Sequence, residues 1–172
     1  SSGRLIQLES VTPATPVTNG GNDGIVAWGT FVDTSSFPTT YAYVVGLATP
    51  VSDIGSLAAG NLTGTYTLTG KTPVFDVSGR TVGTLASATL TANFGAAGGA
   101  ALSSTLNWTW DAKASVVGPA LATLTGTAST GTAALNLSGS CGANCTISAS
   151  GSFFGPNAIR AGFAYEANSQ WG

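Results

Sequence analysis

The sequence predicts a single all-β domain, and three observations carry this prediction. The 172 residues include 24 glycines and are rich in Thr, Ser and Ala, a composition that suits pleated sheets and tight turns. Apolar and hydroxyl side chains alternate with a period of two over many short segments. No window shows the apolar spacing of three and four residues that identifies an amphipathic helix with confidence. A chain of this length is most simply one domain with its own core.

The alternation places the strands in order along the chain. It is clearest over residues 62–69, where threonines separate the apolar positions, and over 102–111, where Ser, Thr and Asn do so. The predicted strands are 25–32, 41–48, 62–69, 83–94, 102–111, 120–126, 132–138, 145–154 and 160–167. Residues 4–9 are a further candidate, as an edge strand. This short, regular spacing is typical of a sandwich or a barrel.

The connections between these strands carry Gly, Asn and Pro, which favour tight turns. Examples are residues 19–24, 78–79, 95–99 and 118–119. Short turns make sequential strands antiparallel neighbours, so a meander that closes into a barrel is the simplest topology, and a two-sheet sandwich is the alternative. Alternation alone does not say which face is inside. A lipid-facing barrel stays open, although the hydroxyl-rich face carries almost no charge for a polar lumen.

We predict an N-terminal arm or linker over 1–23 and a β-barrel domain over 24–172. Pro13 and Pro16 mark the arm. The chain starts at Ser1 without the basic and apolar regions of a signal peptide, so we expect it to be part of a longer chain; removal of a signal peptide is the alternative.

Charge and residue usage exclude several classes of function. Only 7% of residues are charged and the net charge is -2, so the sequence lacks the excess of basic residues that nucleic-acid-binding proteins carry. No apolar run is long enough for a membrane-spanning helix. The chain has no His. This excludes Ser-His-Asp and Cys-His catalysis and the common transition-metal sites. The scattered acids form no motif, so we expect a non-enzymatic protein and nominate no catalytic residue, metal ligand or cofactor.

The two cysteines, Cys141 and Cys145, flank a Gly/Asn-containing turn. We expect a disulfide that closes this small loop, which indicates a periplasmic or extracellular compartment. Two free thiols in a reducing cytosol are the alternative.

The aromatic residues allow two interpretations. They are Trp28, Trp108, Trp110, Trp171, Tyr41, Tyr43, Tyr66 and Tyr165. Most simply they fill the core, with Trp108 and Trp110 two residues apart on one apolar face and their N–H groups needing partners. Alternatively they form the wall of a ligand site. Apart from the cysteines, the tyrosines are the only plausible side-chain ligands for haem.

Residues 151–165 form the most distinctive stretch of the chain. Its defining positions are Gly151, Phe153, Phe154, Gly155, Pro156, Asn157, Gly162, Phe163 and Tyr165. This stretch resembles the closing hairpin of the transferrin-binding-protein-like β-barrel family. Residues 24–29, 43–46, 64–73 and 83–94 are similar to earlier strands of that family, so the resemblance covers roughly 24–168.

The resemblance implies a single eight-stranded antiparallel up-and-down β-barrel with an apolar interior and plug. In particular it resembles the barrels of FecR-associated bacterial envelope proteins, which implies the periplasm or the cell surface. The expected function is a non-enzymatic binding or interaction module, and a carrier of haem or another small solute is the alternative. The chain has no obvious handle domain, so transferrin binding is not carried over.

We assign the closing motif to folding and expect binding in loops. Pro156 cannot donate to a strand ladder, and Phe153, Phe163 and Tyr165 should point inward. The candidate binding residues lie in the two longest connections, 33–40 with Phe37 and Pro38, and 49–61 with Ile54 and Leu57. The alternative is that these apolar groups cap one mouth of the barrel.

Overall fold

The computed structural model describes residues 20–33, 39–76, 80–111, 120–129 and 131–169. In these ranges the chain is mostly antiparallel β structure with one α-helix and one 3-10 turn. The elements are β1 (Gly21–Asn22), β2 (Val26–Asp33), β3 (Thr39–Gly46), α1 (Val51–Ala59), β4 (Thr63–Thr67), β5 (Pro73–Phe75), β6 (Thr81–Asn93), β7 (Ala100–Trp110), β8 (Leu121–Ala128), β9 (Ala134–Ser140), β10 (Cys145–Phe154), a 3-10 turn (Pro156–Ala158) and β11 (Arg160–Ser169).

The predicted meander is confirmed from β6 to β11, where each strand pairs antiparallel with the next. The long strand β6 has two partners on its other side. β4 pairs with residues 89–93 and β5 pairs with residues 81–84. The order β4-β6-β7-β8-β9-β10-β11 forms a curled half-barrel of seven strands.

The expectation of a closed eight-stranded barrel is wrong. Strands β1, β2 and β3 form a separate three-stranded sheet, which we call the small sheet. Within the described residues, backbone pairing joins the segment just after β3 to the half-barrel only near Phe154, through the Ala48–Phe154 bridge and its neighbouring hydrogen bonds. Side chains occupy the seams elsewhere. The ring of Trp28 packs on Gly70, and Val44 packs on Gly162, which holds the two pairs of backbones apart.

The apolar residues of the half-barrel strands point to one face, and this face forms the core. Leu106, Leu124 and Leu135 are fully buried there, whereas the intervening Thr, Ser and Asn side chains are mostly exposed. The nine strands expected from the alternation are all present, with ends shifted by about two residues, as is common for strand boundaries. Strands β1 and β5, of two and three residues, were not predicted, because such lengths are too short to display a period. The candidate strand 4–9 lies outside the described residues.

Helix α1 corrects the expectation that the chain has no helix. Its nine residues follow Pro50 and carry Asp53 in the first turn, both common at helix starts. Ile54 and Leu57, three residues apart, share the face that packs on the core. Gly55 and the shortness of the segment hide this pattern from a scan for longer helices.

The hairpin between β9 and β10 holds the two cysteines at disulfide-bonding distance, as predicted. Their Cα atoms lie 5.1 Å apart, and both side chains are buried. The backbone N–H of Cys141 donates to the carbonyl of Cys145 at 3.2 Å. Left-handed backbone at Gly142 and Asn144 makes the tight turn, which these two residue types tolerate. The described residues contain no free cysteine.

The closing motif forms a tight connection between β10 and β11. Gly155, Asn157 and Ala158 all have positive φ, an unusual run that outside contacts must hold in place. Asp53 of α1 accepts the backbone N–H of Asn157 at 2.8 Å. The hydroxyl of Tyr66 in β4 donates to the carbonyl of Ala158 at 2.8 Å. The motif is therefore fixed by residues far away in the sequence.

Candidate functional site

A cavity of about 780 Å³ lies between the half-barrel and the small sheet. Its volume is in the range typical of small-molecule sites. Residues of β6, β7 and β11 and the segment 66–76, which includes partners of β6, line it from the half-barrel, and residues of β2 and β3 line it from the small sheet. Where the small sheet meets the half-barrel beside this cavity, Trp28 packs on Gly70 and Val44 packs on Gly162.

Four aromatic side chains make the inner wall of this cavity: Trp108, Trp110, Phe163 and Tyr165. Trp108 and Trp110 share a face of β7 because they are two residues apart, and their ring centroids are 6.3 Å apart. The Tyr165 ring lies 5.7 Å from that of Trp108. Trp108 is thus both a core residue and a wall of the cavity, so the two interpretations of the aromatics hold together at this position.

One hydrogen bond fixes the orientation of this wall. The indole N–H of Trp108 donates to the hydroxyl of Tyr165 at 2.7 Å. Among the described residues the Tyr165 hydroxyl has no other partner, so its own proton can be donated to a group in the cavity. Burial raises the pKa of Tyr165, and the hydrogen bond from Trp108 opposes that shift only in part. The group is therefore a neutral donor near pH 7.

The same chemistry disfavours Tyr66 and Tyr165 as iron ligands. Burial raises the pKa of Tyr66 to about 12, and its hydroxyl is already engaged with Ala158. Tyrosine binds haem iron most strongly as the phenolate, and a raised pKa opposes formation of that anion. The inner wall of the cavity suits an apolar solute better than an iron porphyrin.

A single lysine stands where the wall of the half-barrel is interrupted. Between β4 and β5 the chain leaves β6, and β6 has a bulge between Leu85 and Ser87. The ammonium of Lys71 crosses this gap and donates to the carbonyl of Leu85 at 2.6 Å. Lys71 has no carboxylate partner within the described ranges. It therefore brings an unpaired positive charge to the cavity.

A salt bridge links the small sheet to the edge of the half-barrel. Asp23, in the turn before β2, pairs with the Arg160 Nε at the start of β11 at 2.5 Å. The same carboxylate accepts the backbone N–H groups of Ile25 and Val26 at 3.0 and 2.9 Å. The Arg160 hydrogen bond, followed by these backbone bonds, lowers the pKa of Asp23 from 3.8 to about 2. The ionised form is the one that holds the two sheets together.

We expect this link to make folding stability depend on acid pH. A carboxyl whose pKa is lowered by folding contributes stability above its unfolded pKa, and that contribution is lost as the pH falls from about 4 to about 2. Urea unfolding at several pH values should show Asp23→Asn to be less stable than the wild type at neutral pH. The two proteins should converge near pH 2. If the free energies of unfolding of the two proteins differed by the same amount at every pH in that range, the stabilising role assigned to the Asp23–Arg160 salt bridge would be contradicted.

The predicted binding residues fall into two groups. Phe37 and Pro38 lie outside the described residues. Ile54 is 2% exposed and belongs to the core, and Leu57 is half-buried against it. The placement of Ile54 and Leu57 fits the alternative that these apolar groups cap one mouth of the barrel, because α1 packs on the core at one end of the half-barrel. Whether any of the four contacts a partner stays untested.

The closing-motif residues are placed as the alternation predicts. Phe153 is fully buried, and Phe163 and Tyr165 pack on the core from β11. Sequence reasoning nominated Trp108, Trp110 and Tyr165 as an alternative aromatic wall but gave no role to Lys71. The signal available for Lys71 was the Gly70-Lys71-Thr72-Pro73 run, a break between two β segments that carries the only lysine in that part of the chain.

No group of three or more His, Cys, Asp or Glu side chains that could hold a metal ion occurs within the described ranges. Over the same part of the chain, no helix has the length and apolar character needed to cross a membrane.

Comparison with known proteins adds no relative. No family model, no curated protein and no solved structure matches the chain.

Proposed function

We propose that this domain is a non-enzymatic binding module that holds a small apolar solute in the cavity between its two sheets. The observation that carries the proposal is the 780 Å³ cavity with its aromatic inner wall. The Tyr165 hydroxyl places a hydrogen-bond donor within the aromatic wall, and a mostly apolar lining with a few polar groups is the usual composition of a small-molecule site. The sequence led us to expect either an interaction module or a carrier of a small solute, and these features favour the carrier.

The resemblance of residues 151–165 to transferrin-binding-protein-like barrels supports a place in the bacterial cell envelope as part of this proposal. The Cys141–Cys145 pair supports an oxidising compartment in the same way. Neither feature identifies the solute.

A titration with N-phenyl-1-naphthylamine tests the proposal. This uncharged aromatic probe gains fluorescence when it leaves water for an apolar site. We expect saturable binding of one molecule per chain, with energy transfer from tryptophan because Trp108 and Trp110 line the cavity. A linear, non-saturating response at micromolar protein would overturn the proposal.

A second candidate, a protein-binding surface, rests on the opposite face of the small sheet. Phe31 and Tyr41 are paired across β2 and β3 and stack with ring centroids 5.2 Å apart. Val45 lies on the same face, and Leu47 follows it, 79% exposed. Such a row of exposed apolar groups is typical of an interaction site. Replacing Phe31 and Val45 by Thr should leave the probe affinity unchanged, because neither residue lines the cavity.

A further inference from the structure

We infer that the solute is an amphiphilic monocarboxylate whose head group is bound by Lys71 and whose apolar body lies against the aromatic wall. This inference rests on the proposed function and specifies its ligand. It follows from the charges that line the cavity, taken one at a time.

The other charged groups around the cavity are compensated or turned away. Arg160 is neutralised by Asp23. Asp76 is paired with Arg80, at 2.7 Å. Glu166 follows Tyr165 on β11, so it points to the opposite face of the strand, and it is exposed. Lys71 is therefore the one positively charged side chain without a carboxylate partner among the described residues that line this space.

The geometry of Lys71 leaves capacity for a ligand. A lysine ammonium has three N–H donors, and the Leu85 carbonyl uses one of them. That bond holds the ammonium at the gap between β4 and β5. The two remaining donors match one carboxylate. A phosphate dianion would carry more negative charge than a single lysine offsets.

The apolar body of the ligand follows from the wall beyond Lys71. Leu85, whose carbonyl holds the ammonium, pairs directly with Trp108 across β6 and β7. A molecule with its carboxylate on Lys71 would therefore extend along Trp108 and Trp110. Alkyl and aromatic carboxylates share this chemistry, and the test below separates them.

Competition against N-phenyl-1-naphthylamine provides the test, with two matched pairs of competitors. Dodecanoate and dodecan-1-ol share an alkyl body, and 2-naphthoate and 2-naphthol share an aromatic one. A charge-assisted hydrogen bond contributes about a factor of ten in affinity, so Lys71→Gln should weaken the acids by about tenfold and leave the alcohols unchanged. Whichever of dodecanoate and 2-naphthoate binds the wild type more tightly shows whether the apolar body of the ligand is an alkyl chain or an aromatic ring.

Two further variants make the outcome decisive. Lys71→Arg should retain most of the affinity for the acids, because it keeps the charge. Glu166→Gln, the matched control at the other unpaired charge, should not weaken them. Unchanged acid affinity in Lys71→Gln, or equal weakening of acids and alcohols, would overturn the inference while the probe itself still binds. Failure of the probe to bind wild-type protein would instead overturn the proposed function.

Discussion

Replacing Phe153 by Ala should lower the free energy of unfolding by about 3–5 kcal/mol, the range for removing a fully buried aromatic ring. Phe153 has no exposed surface, and its ring lies 5.2 Å from Phe94 and 5.7 Å from Tyr66. Its backbone also accepts the N–H of Thr49, which ties the small sheet to the half-barrel. The cavity left by the missing ring would therefore open beside the backbone bonds that connect the segment after β3 to the half-barrel.

Urea unfolding followed by circular dichroism measures this effect. Leu121→Ala is the matched control, because Leu121 is an apolar strand residue that is 50% exposed. Its loss should be about 1 kcal/mol or less. Equal losses in the two variants would show that Phe153 is not the core residue described here, and the assignment of the closing motif to folding would fail.

Filling the cavity should weaken binding strongly without unfolding the protein. Ala88 lies on the inner face of β6, opposite Leu106, and lines the cavity. In Ala88→Trp the indole would occupy the space of the solute, so the affinity for N-phenyl-1-naphthylamine should fall by about tenfold or more. Fluorescence titration measures the change.

The control for this variant is the same substitution on the other face of the sheet. Ala101 is exposed on β7 and does not line the cavity. Ala101→Trp should bind the probe as the wild type does. If both variants keep full affinity, the probe binds elsewhere.

The strands could be predicted from the sequence because their signal is local. Each half-barrel strand buries one face, so apolar and hydroxyl groups alternate along it, as in β7. The order β6 to β11 was also predictable, because short turns such as 95–99 leave sequential strands side by side.

The open seams and the cavity could not be predicted in this way. They depend on contacts between residues far apart in the chain, namely Trp28 with Gly70 and Val44 with Gly162. Alternation predicts the face of a sheet on which a side chain lies. It does not predict whether the half-barrel and the small sheet are in contact. The aromatic residues were visible in the sequence, but whether they filled a core or lined a space depended on these distant contacts.

The most direct test of the central claim is where the solute lies. In a complex of the protein with N-phenyl-1-naphthylamine, intermolecular nuclear Overhauser effects should connect probe protons to the rings of Trp108, Trp110 and Phe163. Contacts only to Phe31 and Val45, which do not line the cavity, would contradict the claim that the space between the two sheets is the binding site.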